Sequence, residues 1–115
     1  MSSSLSPERA EELDAVFMLL ADARRRVIIE TVYDAGSIDI GELAVTIARR
    51  EYGQPISVDD HIVEEITVDL HHRHLPQLRG HNVVDVDHNE GRISPTAQTR
   101  RWVEVVHYVA NRVLE

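Results

Sequence analysis

Only one stretch of this chain alternates with period two. Val83-Val84-Asp85-Val86-Asp87 and Arg92-Ile93-Ser94 flank His88-Asn89-Glu90-Gly91, a four-residue turn with its glycine late. That is a short hairpin. The apolar positions before and after it recur with helical spacing, so the chain is expected to be mainly α with one small β-hairpin. At 115 residues with 43% hydrophobic content it has material for one packed core, and no internal repeat, low-complexity tract or linker divides it.

Start and stop signals place the helices. Ser6 caps a first helix with Pro7 at its first position and Glu8 in its first turn, and Leu13, Val16, Phe17 and Leu20 form its expected buried face. Asp22 caps a second helix that runs through Val27, Ile28, Thr31 and Val32 to Gly36. Arg24, Arg25 and Arg26 stand in its first turn, where the helix dipole disfavours cations, so they are expected to serve another task or another partner. Asp39 and Glu42 make a capping box for a third helix, with Ile38 stapled onto Leu43 or forming a short β-bridge, and Gly53 ends it.

Gln54-Pro55-Ile56 is expected to be a loop, and Ser57, with Asp60 closing the cap, to open a fourth segment. Ile62, Val63, Ile66, Leu70, Leu75 and Leu78 keep a helical period as far as Asn82, a candidate left-handed cap. Pro76 inside that run implies a kink or interrupted hydrogen bonds near His72, in either one bent helix or two pieces. A last helix begins at Pro95 or Thr96. Its apolar residues cover about 180° of the wheel, more than the ~100° that one core contact requires. Trp102, Val106, Val109 and Val113 repeat at heptad-like spacing and are the expected homodimer seam, with Val103, Ala110 and Leu114 turned to the core.

Three helices, a longer fourth, a hairpin and a final helix follow the order of a winged helix-turn-helix domain. Ala21-Asp22-Ala23-Arg24-Arg25-Arg26-Val27-Ile28 resembles the second-helix opening of ArsR-type winged helix proteins, and Ser37-Ile38-Asp39-Ile40-Gly41-Glu42-Leu43-Ala44 their third-helix opening. Leu70-His71-His72-Arg73-His74-Leu75-Pro76-Gln77-Leu78, running on to Asn82-Val83-Val84, is similar to their recognition helix and first wing strand. The His-Leu-Pro segment specifically resembles small winged helix domains of haloarchaea. The resemblance covers roughly residues 13–94 and implies a three-helical core with a hairpin wing; the domain is expected over 7–94, after a disordered tail at 1–6 and before a dimerising helix at 95–115. It departs from the family plan at 52–66, which is longer than the usual turn, in Asn82, which replaces the glycine at the recognition helix's end with Gly80 two residues earlier, and in the shortness of the hairpin.

The implied function is a DNA-binding transcriptional regulator acting as a homodimer on a palindromic double-stranded site, its half-sites about 34–36 Å apart. His72 and Arg73 are the candidates for base edges, and Arg79 and wing Arg92 for phosphates. Glu65 and Asp69, expected on the same outward arc, count against this, as does the formal charge of −8. All 12 basic residues are arginine, against 20 acids, a balance that suits a high-salt cytoplasm. At molar salt counterion release supplies little affinity, so DNA binding there rests on fit and direct hydrogen bonds. The rival reading is a winged-helix protein–protein interaction module without DNA binding.

Other chemistries find little support. With no cysteine there are no disulfides and no thiolate sites. His71 and His74 share one helical face at i, i+3, where a structural role is the commoner outcome and a metal site would need ligands from elsewhere. Asp59-Asp60 and Glu64-Glu65 lie on a solvated helix, and no phosphate loop or nucleophile elbow is present. No enzyme activity, cofactor, metal, membrane span or signal peptide is expected.

Overall fold

The computed structural model describes residues 5–53 and 59–114. In chain order the elements are α1 (Pro7–Leu20), α2 (Ala23–Ala35), β1 (Ile38–Asp39), α3 (Ile40–Tyr52), α4 (Asp60–Asp69), a π-helical turn (Leu70–His74), α5 (Leu75–Gly80), β2 (Val84–Asp87), β3 (Arg92–Pro95) and α6 (Thr99–Val113). The domain is therefore mainly helical with a small antiparallel sheet, ordered β1-β3-β2. Ile38 pairs with Ile93, and Val86 pairs with the other edge of the same residue.

The caps explain the boundaries. Ser6 Oγ accepts from the Arg9 amide, Asp22 from Arg24, and Asp39 from both Gly41 and Glu42. Gly36 closes α2 at φ +78°, donating to the Val32 carbonyl, and Asn82 is the left-handed non-glycine residue that turns the chain from α5 into β2. Asp59 caps α4 through the His61 amide. The expected opening at Ser57 and the loop at 54–56 lie outside the described residues, as do the first four residues of the expected tail.

Residues 60–80 form one helical run broken by the π turn. Leu75 donates to the Leu70 carbonyl, one residue further back than in an α-helix, and Pro76 follows with no N–H to give. The extra residue shifts the inward face, so that Leu70, His74, Leu75 and Leu78 are all buried. They meet Ile28, Ile29 and Val32 of α2 and Leu43, Ala44 and Ile47 of α3, with Val84, Val86 and Ile93 closing the core from the sheet.

Three expectations are corrected at the ends. In α1 the residue driven into the core is Leu19, whereas Leu13 is exposed and Phe17 is 64% exposed. The last helix starts at Thr99 rather than Pro95 or Thr96, because Pro95 is still paired with Val84. Thr99 Oγ1 is buried between the Thr96 amide, from which it accepts, and the Val83 carbonyl, to which it donates. Along α6 only Thr99 and Val103 are buried, so Ala110 and Leu114 do not face the core. Its apolar arc beyond Val106 has no cover among the described residues.

Candidate nucleic-acid interface

The helical run 60–80 turns one side into the core and the other to solvent. Glu64, Glu65, Val68, His71, His72, Arg73 and Arg79 are all exposed on it. The β2–β3 turn lies alongside, its His88 ring 6.3 Å from that of His71. Of the four residues singled out for DNA, His72 and Arg79 stand free in solvent exposure on this run. Arg73 is exposed as well, yet its guanidinium sits 3.7 Å from Asp22 at the head of α2. Arg92 is on β3, where its Nε donates to Ser37 Oγ at 3.2 Å.

Asp69 corrects the expected outward arc. The π turn that follows it leaves it part-buried, 3.0 Å from Arg24 and 2.7 Å from His74 Nε2. One of the two carboxylates counted against DNA is thus engaged inside the domain. Glu65 remains outside, with Glu64 beside it.

Asp69 belongs to a polar cluster at the corner of α1, α2, α3 and the π turn. Arg24 grips Glu51 of α3 through two contacts, at 2.6 and 2.8 Å, and reaches Asp69 with its third nitrogen. The hydrogen bond to Glu51, against a smaller effect of burial, holds the Arg24 pKa above its ordinary value. Arg25 is only 6% exposed and donates to the carbonyls of Leu19 and Met18, both at 2.7 Å. Arg26 donates to the carbonyl of Leu20 at 2.6 Å. Arg25 and Arg26 therefore close the C-terminal end of α1, where orphan carbonyls and the negative end of the dipole favour cations. The cost of placing charge at the head of α2 is offset by the tail of the preceding helix. Each of the three is engaged within the fold.

His74 is fully buried at the centre of this cluster. Arg25 approaches its Nδ1 at 3.3 Å, which makes Nδ1 the acceptor and puts the ring proton on Nε2, toward Asp69. That second contact is short but poorly aligned, so it acts as an electrostatic contact more than a formed hydrogen bond. Burial pushes the imidazole below its ordinary pKa, against the upward pull of Asp69 and Asp22. Burial raises Asp22 in the same way, but the Arg24 amide, His74 and Arg25 outweigh it and hold this carboxyl below its usual range. His74 is thus a structural histidine, while its i−3 neighbour His71 is exposed rather than turned to the core.

Sequence reasoning missed this cluster, although the wrong-way arginines were its signal. Among the described residues, no group of three or more His, Asp or Glu side chains is arranged to hold a metal ion, and no helix is long and apolar enough to cross a membrane.

A second surface lies between the first and last helices. A groove of about 480 Å³ runs between α1 and α6, lined by Val16, Trp102 and Val105 among others, and it ends at His81 and Asn82. Of the expected seam, Trp102 packs in part on the core and Val106 is half-buried, whereas Val109 and Val113 face solvent.

The architecture defines a small helical domain carrying a three-stranded sheet beside one long exposed helical run. Residues 17–94 match DUF7344, a domain of unknown function, and the chain belongs to that family. The match runs from Phe17 in α1 to Ser94 in β3, and α6 follows it. No curated protein and no solved structure matches the chain.

Proposed function

We propose that this protein is a winged helix-turn-helix transcriptional regulator that binds double-stranded DNA as a homodimer, in the cytoplasm of a halophile. The observation that carries this reading is the exposed run 60–80, supported from behind by α2 and α3 and flanked by the β2–β3 hairpin. That order, helix–strand–helix–helix–hairpin from α2 onward, is the one in which a recognition helix enters a major groove and a wing reaches beside it. His72 and Arg73 meet base edges in this reading, and Arg79 and Arg92 meet phosphates. Engagement of Arg73 frees it from Asp22, a contact of 3.7 Å between partly exposed groups that costs little to exchange.

Charge variants test the reading in multimolar KCl. Arg73→Glu is expected to abolish sequence-specific binding, and His72→Ala to lower discrimination between sites by roughly tenfold. Arg79→Ala and Arg92→Ala are expected to weaken binding to all sequences alike. Wild-type affinity and specificity in both Arg73→Glu and His72→Ala, with the fold checked by circular dichroism, would overturn the assignment.

A second reading has its own support. Glu64, Glu65 and exposed Val68 present an acidic, partly apolar surface on α4, which suits a basic protein partner better than a duplex. On that reading the domain is an interaction module, and none of the four variants changes DNA affinity.

A further inference from the structure

The helical run 60–80 buries both Leu70 and Leu75, whereas a regular α-helix brings i to the same face as i+3 or i+4. The core therefore requires one extra residue between them, and the Leu75 amide accordingly donates to the Leu70 carbonyl. What the core does not decide is how His71, His72 and Arg73, all exposed, are spread over that turn. A side chain that passes from one side of the extra position to the other turns through about 100°. For His72 and Arg73 that is the difference between facing a groove and facing away from it.

Charged groups clasp the turn at its two ends. Asp69 stands immediately before it and His74 closes it, and the Asp69 carboxylate lies 2.7 Å from His74 Nε2. Successive residues of α2 hold the pair. Arg24, itself gripped by Glu51 of α3, reaches Asp69 at 3.0 Å, and Arg25 reaches His74 Nδ1 at 3.3 Å. Asp22, the cap of α2, brings Oδ1 to 4.0 Å from His74 Nε2 and Oδ2 to 3.7 Å from the Arg73 guanidinium. The inward ring at 74 and the outward guanidinium at 73 thus share one carboxylate. Stability alone does not call for this arrangement. A leucine at 74 would fill the same inward position without burying a ring nitrogen that lacks a well-aligned partner. Buried polar pairs are weak sources of stability, and fixing a register is the use best attested for them.

We propose that His74 and Asp69 are positioning residues for DNA recognition, their contact across the π turn setting the phase in which His72 and Arg73 meet base edges. This rests on the DNA-binding reading above and deepens it, by naming the buried residues on which its base contacts depend. Neither side chain touches the duplex. Pro76, which has no N–H, keeps the regular helical hydrogen bond to the His72 carbonyl from forming in place of the π turn. Base-edge contacts carry sequence discrimination and demand a fixed geometry, whereas phosphate contacts carry none. Opening the clasp therefore lowers discrimination and leaves the contribution of Arg79 and Arg92, which lie outside the turn, in place.

His74→Leu and the conservative His74→Gln test this on the full chain in multimolar KCl. In His74→Leu the clasp is open, but Asp69 keeps Arg24 and Arg25 keeps the Met18 and Leu19 carbonyls, so the fold is retained. Glutamine can still accept from Arg25 and donate to Asp69. Hydrogen exchange at the Leu75 amide, followed by NMR, reads the turn without DNA and is expected to quicken roughly tenfold in His74→Leu and stay near wild type in His74→Gln. Affinity for the site that the wild type selects is expected to fall roughly tenfold in His74→Leu, with affinity for random-sequence DNA unchanged, and to be restored in His74→Gln. Asp69→Asn, which keeps the shape and removes the charge, is expected to move both readouts the same way by less. In a His72→Ala, Arg73→Ala background, His74→Leu is expected to lower DNA affinity no further, whereas a merely structural residue would cost the same in both backgrounds. Equal losses on both DNAs, or unchanged discrimination in His74→Leu and Asp69→Asn, would overturn the positioning role and leave the DNA-binding reading standing. Unchanged exchange at Leu75 would overturn the clasp as what holds the turn. A wild type that selects no site would overturn the DNA-binding reading and the positioning role with it.

Discussion

Truncating Arg25 is the perturbation with the largest expected effect outside the apolar core. Its guanidinium is 6% exposed and closes α1 through the Met18 and Leu19 carbonyls, both at 2.7 Å, while holding the His74 ring at 3.3 Å. Hydrogen bonds from a charged donor contribute about 1.5–3 kcal/mol each, and the acceptors left behind are buried at Leu19 and part-buried at Met18. Losing the two carbonyl contacts gives an expected cost of about 3–5 kcal/mol for Arg25→Ala, a large share of a total near 5–15 kcal/mol. At about 4 °C per kcal/mol for a domain of this size, Tm falls by about 12–20 °C. Arg26→Ala removes one part-buried contact to Leu20 and is expected to cost only about 1 kcal/mol. Arg25→Lys keeps the charge but not the fork, and recovers less than half of the loss. Urea melts of the three variants, at low and at multimolar KCl, measure this. Buried contacts are weakly screened, so the loss at Arg25 persists in salt. Equal losses at Arg25 and Arg26, or a cost below about 1 kcal/mol for Arg25→Ala, would refute the account of Arg25 as the main closure of α1.

Two further outcomes follow from the same geometry. His74 has a folded-state pKa below its ordinary 6.5, so the unfolded chain takes up the proton more readily. The associated stability is present above pH 6.5 and is lost as pH falls from there toward the folded-state value. The urea midpoint is expected to drop across that window, and His74→Gln, which can still accept from Arg25 and donate to Asp69, removes that part of the drop; an unchanged profile would contradict the assignment. Asp39 accepts from the Gly41 and Glu42 amides at 2.8 and 3.3 Å, so Asp39→Ala is expected to cost about 1 kcal/mol in a thermal melt.

Local chemistry made most of the elements legible. Ser6, Asp22 and Asp39 are caps whose side chains can only satisfy amides that follow them, and Gly36 and Asn82 sit where the backbone turns left-handed. What sequence periodicity could not carry was register across Pro76. The π turn adds a residue to the helix, so a wheel of constant pitch through Leu70, Leu75 and Leu78 places His74 inward as found but misplaces Asp69, which is part-buried, and His71, which is exposed. The start of α6 was missed for a related reason, since Pro95 is a permitted first helical residue that here remains in the sheet. In α1 the pattern named Phe17 for a core that instead takes Leu19. Amphipathic spacing shows that a face is apolar and is silent on whether the chain itself covers it. The apolar surplus of α6 was legible, and its position beside the equally uncovered α1 was not, because nothing in the sequence brings those two helices together.

The most direct test of the proposed function is selection from a random double-stranded DNA pool by the purified full chain in multimolar KCl. The account predicts enrichment of a palindromic motif whose half-sites are centred about one helical turn apart, 10–10.5 base pairs, with enrichment lost in Arg73→Glu. Absence of any enriched motif, from protein shown to be folded and dimeric under the same conditions, would contradict it and favour a protein partner for the acidic face of α4.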